Sequence, residues 1–530
     1  MLSNPALDHG ITVFDSPQMD DKLLLAPDSP RAPDSIAATR GECESTWWLA
    51  SASGAGDVRK TETVRRALNI GIQTNCDIIV RNGVIEAVGC NLQTDDIDVH
   101  IDATDCIVTP GFIDTHHHMW QQLVRGVCTD HSLKDYFETI RNGYGSLFSP
   151  SDVYTSNYAA ALDLINNGIT TVIDHSHIMN SPAHTDAAVQ ALKDAGLRGT
   201  WCYGFYENVP RPDLAGADTS ATPKSHDHAA RMQDAKRIRS CGFTASNNPR
   251  VSLLTFGGAP TEAELMTGPG LADEIAFFRG IGARVITMHV AMGGYDVGQQ
   301  VVQRLGNTQL LSRDLLFSHG ASFTESELRL IAQTGAGISV TPETEPQMGM
   351  GHPIAFQAAE AGCNVGLGID VTSSQSNDML ASMRLLLQAE QGRRNAQMIQ
   401  QGSIPTDIQP KSHDALELAT LSGAKAIGLA HLIGSVIPGK RADLVITRCD
   451  DINMVPVTNP VGALMFHAHP GNIDTVLING KIMKQNGKLV GVDWPKLRND
   501  IKERAARMQS VAAEPGFAQL MPEFMQNRYS

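Results

Sequence analysis

Residues Ile107–Gln121 read IVTPGFIDTHHHMWQ, a short apolar strand broken at Pro110-Gly111 and followed at once by three histidines. Side chains alternate across a strand, so His116 and His118 point to one face and His117 to the other. Two imidazoles converging from one strand end make half of a metal site. A polar triplet can simply end a strand, yet packing gives no reason for three histidines directly behind PGFIDT. Further ligand types recur downstream at matching positions.

Downstream of this stretch, short apolar runs alternate with amphipathic segments, the pattern of a parallel sheet with crossover helices. Candidate strands are 107–114, 170–174, 197–203, 250–255, 284–289, 314–318, 337–341 and 365–370. Eight is the number a closed (β/α)8 TIM barrel needs, and in such a barrel the chemistry sits at the carboxyl ends of the strands. The first candidate ends in His116 and His118, the fifth in His289, the sixth in His319 within LLFSHG, and the eighth in Asp370 within GLGID. Three imidazoles and a carboxylate around a divalent ion, with one position left for water, suit hydrolysis. Any one of these histidines alone would read as structural. Four at one rim, closed by an aspartate, read as a site.

The flanks carry a different pattern. DIIVRNGVIEAVG (77–89) is two β-branched runs split by Asn82-Gly83, the pair that most favours a tight hairpin. GSVIPGKRADLVI (434–446) and IDTVLINGKIMKQNGKLV (473–490) repeat that pattern near the other end. The expected organisation is a small β-sandwich assembled from 66–106 and 430–492, a barrel over 107–429, and a C-terminal helix and tail over 493–530. Residues 1–65, rich in Pro, Asp, Ser and Ala with no sustained period of 2 or 3.6, read as a flexible N-terminal extension.

With 530 residues, 42% hydrophobic and 19% charged, the chain is a soluble globular type with a large core. The net charge of −15 argues against nucleic acid or an anionic membrane as partner and toward a small-molecule substrate. Nine cysteines are scattered singly with no CxxC pair, and no basic-then-apolar leader or long apolar run occurs, so a cytoplasmic protein is expected. Neither a strand-GxGxxG-helix nor a GxxxxGK[ST] loop is found, which leaves nucleotide cofactors unsupported. Barrels of this size are often homo-oligomers, though no motif here specifies one.

PGFIDTHHH, ITMHVA, SHGASFTESEL, GLGID with SSQSNDM, and LSGAKAIGLAHLIGSVIPGKRADLVI occur in this order. Together they resemble the amidohydrolase superfamily, in its cytosine deaminase, guanine deaminase and chlorotriazine hydrolase branch, over roughly residues 70–490. The resemblance implies one divalent ion, Zn²⁺ or else Fe²⁺, held by His116, His118, His289 and Asp370. It makes His319 and Asp370 the catalytic pair, His319 orienting the water or the reacting group and Asp370 acting as base toward that water. It further implies a metal-dependent hydrolase of a carbon–nitrogen bond other than a peptide bond, deaminase-like, acting on a nitrogen-containing heterocyclic molecule, in specialised metabolism for one.

Deaminases of that branch carry a glutamate three residues after the fifth-strand histidine, where it protonates the ring. Here the run is His289-Val290-Ala291-Met292, and methionine cannot donate that proton. Glu343 and Glu345 in TPETEPQMGMGHP, after the seventh strand, and His177 and Gln121 at the rim are the candidate substrate-binding residues. Met292 leaves cyclase, lyase or dehalogenase chemistry on the same scaffold open as alternatives. A non-catalytic binding module is the other alternative, disfavoured because it would have no reason to keep the whole ring.

Overall fold

The structure, a computed structural model, describes residues 10–14, 35–39, 44–47, 71–74, 76–93, 97–206, 208, 227–266, 269–514 and 517, the first four segments as backbone only. They fall into two compact units. One comprises residues up to Phe112 together with Leu429–Val490, the other Ile113–Gly428 with the segment from Gly491 onward.

The first unit is built on two main sheets. One sheet runs Gly10–Phe14, His100–Asp102, Ser35–Thr39, Asp77–Arg81, Val84–Gly89; the other runs Lys488–Leu489, Lys481–Gln485, Ile473–Ile478, Leu444–Arg448, Cys106–Pro110. Their inner faces share one apolar cluster, with Val80, Ile85, Val108, Leu444 and Leu477 fully or almost fully buried. Asn82 and Gly83 both take positive φ (52° and 72°) as a primed hairpin turn requires. A side chain at Gly83 would also sit 2.4 Å from the Asn479 carbonyl oxygen.

Two expectations change here. Residues 1–65 are not uniformly without regular structure: Gly10–Phe14, Ser35–Thr39 and Glu44–Trp47 are strands, the first two paired into the sheet of Asp77–Arg81. Their short β-branched runs (GITVF, SIAAT, ESTW) are too brief to register as a period. The remainder of that segment lies outside the described residues. Secondly, 107–114 is two strands. Cys106–Pro110 pairs antiparallel with Leu444–Arg448 in the small unit, and after the break at Gly111, whose N–H donates to the Asp443 carbonyl, Phe112–His117 enters the barrel.

The second unit is a closed barrel of eight strands, Phe112–His117, Ile169–Ser176, Arg198–Gly204, Leu254–Ala259, Ile286–Val290, Leu315–His319, Gly337–Val340 and Asn364–Leu367. All pair in parallel, and the eighth returns to the first at Leu367 and Asp114. The fourth strand begins at Leu254, four residues beyond the expected start of 250. Its Gly257 and Gly258 are strand residues because the space is filled: a Cβ would meet Cys202 Sγ at 2.5 Å or the Phe278 ring at 2.3 Å. The helix Pro150–Asn166 starts with a Ser149/Asp152 capping box. The C-terminal helix Trp494–Ala512 is tied to it by Arg504 and Arg507, at 2.8 and 2.6 Å from the two Asp152 carboxylate oxygens. No helix of the described residues is long and apolar enough to cross a membrane.

Candidate active site

Strand register delivers the rim residues. The first and eighth strands are woven together where they end: Asp370 N–H donates to the His116 carbonyl (2.8 Å), His118 N–H to the Asp370 carbonyl (2.9 Å), and Ile369 N–H to Asp114 Oδ1 (3.0 Å). His117 turns away to Asp114 Oδ2 at 2.8 Å, leaving His116 and His118 side by side. Nδ1 of His118 donates to the His175 carbonyl at 2.7 Å, which fixes its tautomer and leaves the Nε2 lone pair 3.3 Å from Asp370 Oδ1. His116 uses Nδ1 on Ser318 Oγ at 2.8 Å. Its Nε2 is buried, makes no protein hydrogen bond and lies 3.2 Å from the same Asp370 oxygen.

His289 completes one group of three possible ligands with His116 and His118, and His319 with Asp370 forms a second group sharing His116. Within each group the ligand atoms lie within 4.8 Å of one another. Both oxygens of Glu262 stand 3.2 Å from His289 Nδ1, and His319 Nδ1 is 3.1 Å from Thr341 Oγ1 and 3.6 Å from Glu345. His319 and Asp370 both hold left-handed backbone, at φ of 78° and 72°. Such strain in non-glycine residues persists where surrounding bonds over-determine it, as they do here.

Burial pushes His116 down to about 4 and His118 well below the ordinary imidazole range, so both present neutral rings with lone pairs. Asp370 is held well below the usual carboxylate range; burial opposes this, but contact with His116 and the positive charge of nearby His319 outweigh it. His319 is raised, burial again opposing and the neighbouring Glu345 and Asp370 prevailing. The His118 lone pair aimed at a carboxylate oxygen repels it unless a cation lies between them, and Nε2 of His116 converges on that same oxygen. The donor set of nitrogen and carboxylate oxygen, backed by carbonyl, hydroxyl and carboxylate partners, therefore fits a divalent ion such as zinc.

His118, His289, His319 and Asp370 line one pocket, together with His177, Met292 and Glu262. His177 stacks on His118 with ring centres 4.1 Å apart and accepts from Trp120 Nε1 at 2.8 Å. His175 stacks on His289 at 4.4 Å and meets Tyr206 Oη at 3.1 Å. The other three expected substrate contacts do not line the pocket. Gln121 is buried and spent at both ends, donating to Tyr136 Oη and accepting from Ser373 Oγ, each at 2.7 Å. Glu343 accepts from Ser382 Oγ at 2.6 Å, outside the pocket. Glu345 is fully buried behind His319, its Oε1 accepting from Thr341 N–H at 2.9 Å. The loop after the seventh strand folds these carboxylates back into hydrogen bonds with its own backbone and with the helix Met379–Gln400 that follows the eighth strand.

Among the residues that escaped the sequence reading are Glu262 and Arg141, which line the pocket, and Tyr206, which contacts His175 and His289 beside it. Glu262 stands in TEAEL three residues after the fourth strand, and its rim position is visible only once that strand is placed at Leu254–Ala259. Tyr206 and Arg141 stand in segments without any chemical motif.

The Amidohydrolase family model matches residues 107–483, which spans the barrel and the strands beyond it. The chain belongs to the amidohydrolase family. It is accordingly a metal-dependent hydrolase acting on carbon–nitrogen bonds. The amidohydrolase chain is 25% identical to the 5-methylthioadenosine/S-adenosylhomocysteine deaminase of Pyrococcus furiosus, over 79% of this chain and 93% of that one. The enzyme of the same name from Moorella thermoacetica is 28% identical over 77% of this chain and 88% of its own. Among solved structures, an adenosine deaminase from Xanthomonas campestris with bound zinc superimposes with a TM-score of 0.69 at 21% identity, covering 82% of this chain and 93% of that one. The atrazine chlorohydrolase of Arthrobacter aurescens complexed with zinc gives 0.68 at 18% identity, covering 87% and 100%. At those identities the structural likeness is one of fold.

Proposed function

We propose that this amidohydrolase removes an amino or substituted amino group from a nitrogen heterocycle by hydrolysis, using one zinc ion, with His116, His118, His289 and Asp370 as its ligands. The observation that carries the proposal is the convergence of the Nε2 atoms of His116 and His118 on one oxygen of Asp370. The ion's contribution, when bound, is Lewis acidity: it acidifies water and polarises the carbon under attack. Asp370, kept ionised, takes a proton from the attacking water and returns it to the departing nitrogen. His319, whose Nδ1 is tied to Thr341 and whose ring Glu345 keeps basic, holds the reacting oxygen through its other nitrogen. Glu262 is a positioning residue: accepting from Nδ1 of His289, it keeps the remaining ring nitrogen of that histidine available.

Met292 lines the pocket at the position where related deaminases carry their ring-protonating acid. Glu343 and Glu345 do not supply the missing proton, since neither lines the pocket. The substrate is therefore one whose ring needs no protonation at that point. Stabilising the charge that otherwise accumulates is commonly worth several kcal/mol, so turnover of adenosine, cytosine and guanine should be poor. The scattered cysteines support a cytoplasmic location.

The test is ammonia and amine release by the purified, metal-quantified protein from a panel of aminated and amidic heterocycles. The panel includes 5-methylthioadenosine and S-adenosylhomocysteine, the compounds for which the relatives are named. Chelator-sensitive release from at least one member is expected. Fast deamination of cytosine or guanine by the unmodified protein would sink the reading of Met292, and no release from any member would sink the aminohydrolase reading itself.

A further inference from the structure

Among the described residues, one charge in the pocket has no partner. Arg141 ends the short helical turn Phe137–Arg141 and is 5% exposed. Its guanidinium carbon lies 4.8 Å from the centre of the Tyr206 ring. That ring covers one face of the planar group, but the N–H donors of an arginine lie in the plane and need acceptors there. None is provided: Nε is buried without a hydrogen-bond partner, and no described carboxylate comes within 4.0 Å of the group. The two pocket carboxylates are already engaged, Glu262 by His289 and Asp370 by the histidines of the ring. Arginine does not shed its proton, and a buried guanidinium left unpaired is destabilising. Such a group is retained where a ligand brings the counter-charge.

We propose that Arg141 receives a carboxylate on the substrate, so that the pocket selects nitrogen heterocycles bearing one such group. A planar fork of donors matches a planar carboxylate through two parallel hydrogen bonds. A phosphate dianion fits less well, because among the described residues Arg141 is the one arginine or lysine lining the pocket, whereas Glu262 and Asp370 would both repel a second negative charge. The rest of the wall suits a flat ring: Met292, Met348 and Met350 are all buried, and thioethers pack favourably against aromatic faces. The location of the bond that breaks rests on the hydrolase reading above; the ion pair with Arg141 does not.

The experiment is calorimetric titration of the full-length, zinc-loaded protein with nicotinate against nicotinamide and with orotate against uracil, two pairs that differ by the carboxylate. It is repeated after chelation, since a carboxylate can also bind zinc. Each carboxylate should bind about tenfold to a hundredfold more tightly than its neutral partner, with the metal and without it. Arg141→Met should abolish that preference while metal content stays unchanged and the melting temperature does not fall, and Arg141→Lys should keep part of it. Equal binding of the paired ligands to the unmodified protein overturns the proposal without any variant, as does a preference that survives in Arg141→Met or disappears on chelation. Ammonia release measured on the same preparations reports separately on the hydrolase reading. Its failure would leave the binding preference standing.

Discussion

The ring of histidines and the wall that faces it are built by different means. His116, His118, His289, His319 and Asp370 stand at or just beyond the ends of barrel strands, and bonds to neighbouring strands or rim loops pin them: His118 to the His175 carbonyl, His116 to Ser318, His289 to Glu262, His319 to Thr341. Arg141, Tyr206, Glu262 and Met350 come instead from loops and short irregular turns, and Arg141 is held by a ring face rather than by hydrogen bonds. Parallel pairing fixes where a strand ends to within a residue, so ring chemistry is positioned by the scaffold itself. Wall chemistry is positioned by loop packing and can vary while the ring stays constant. A ring of this kind defines the reaction; the wall chooses the molecule.

If that division is right, damage to the ring should abolish chemistry outright. His116→Ala and Asp370→Ala are each expected to lose bound metal and all measurable turnover while the barrel remains folded, because these residues sit at a rim and not among the packed layers of the barrel interior. Elemental analysis with circular dichroism checks this. One ion per chain retained in both variants would remove them from the ligand set and leave the ring without its defining role.

His319 tests whether every ring member does the same work. His319→Asn should keep most of the metal and lose turnover by roughly 10²–10⁴-fold, the usual contribution of a positioned acid–base or orienting group. Metal loss in parallel with activity would make it a ligand and would erase its distinction from His289.

Glu262 lies on the boundary, a wall residue bonded to a ring residue. Glu262→Gln keeps an acceptor but removes the charge opposite His289 Nδ1, and outer partners of metal-bound histidines typically matter by about 10- to 100-fold in metal affinity or activity. The readout is a zinc-competition titration. Unchanged affinity with a changed substrate profile would place Glu262 wholly on the wall.

What could be read from the sequence follows the same division. The five ring residues were legible because each ends a recognisable apolar run, and because HHH, MH, SH and GID share a rim once the strands are counted. The turns of the small unit were legible from Asn-Gly pairs alone, as the positive φ of Asn82, Asn479 and Asn486 records. The fourth strand was placed four residues early, and it runs on through Gly257 and Gly258, where a side chain would not fit. Glu262 was hidden behind that error. Arg141 and Tyr206 could not be found at all, since FETIR and GFYEN have no spacing that marks a pocket and their placement depends on tertiary packing. Glu343 and Glu345 illustrate the opposite failure: charge on a rim loop suggested contact with substrate, whereas the loop turns both carboxylates to hydroxyl or amide donors of the protein.

Glu343 gives the smallest expected effect and the finest test of how far the wall extends. Its Oε1 accepts from Ser382 Oγ, and the amide oxygen of a glutamine can accept the same bond. Glu343→Gln should therefore change kcat/KM by no more than about twofold, within what surface-like substitutions produce. Its effect on stability has a definite sign. Burial, opposed by the Ser382 bond and reinforced by the charge of nearby Asp378, raises the Glu343 carboxyl above its ordinary value. A carboxyl raised in the folded state loses stability as pH climbs from its unfolded value of about 4.3 through its folded value. A glutamine side chain carries no such charge, so the variant should match the parent below about pH 4 and gain on it as pH rises, levelling off once Glu343 is fully ionised. Melting temperatures of both proteins across that range check the prediction. A large loss of turnover, or a stability gap that opens toward acid instead, would mean that Glu343 faces the substrate and that the loop after the seventh strand belongs to the wall.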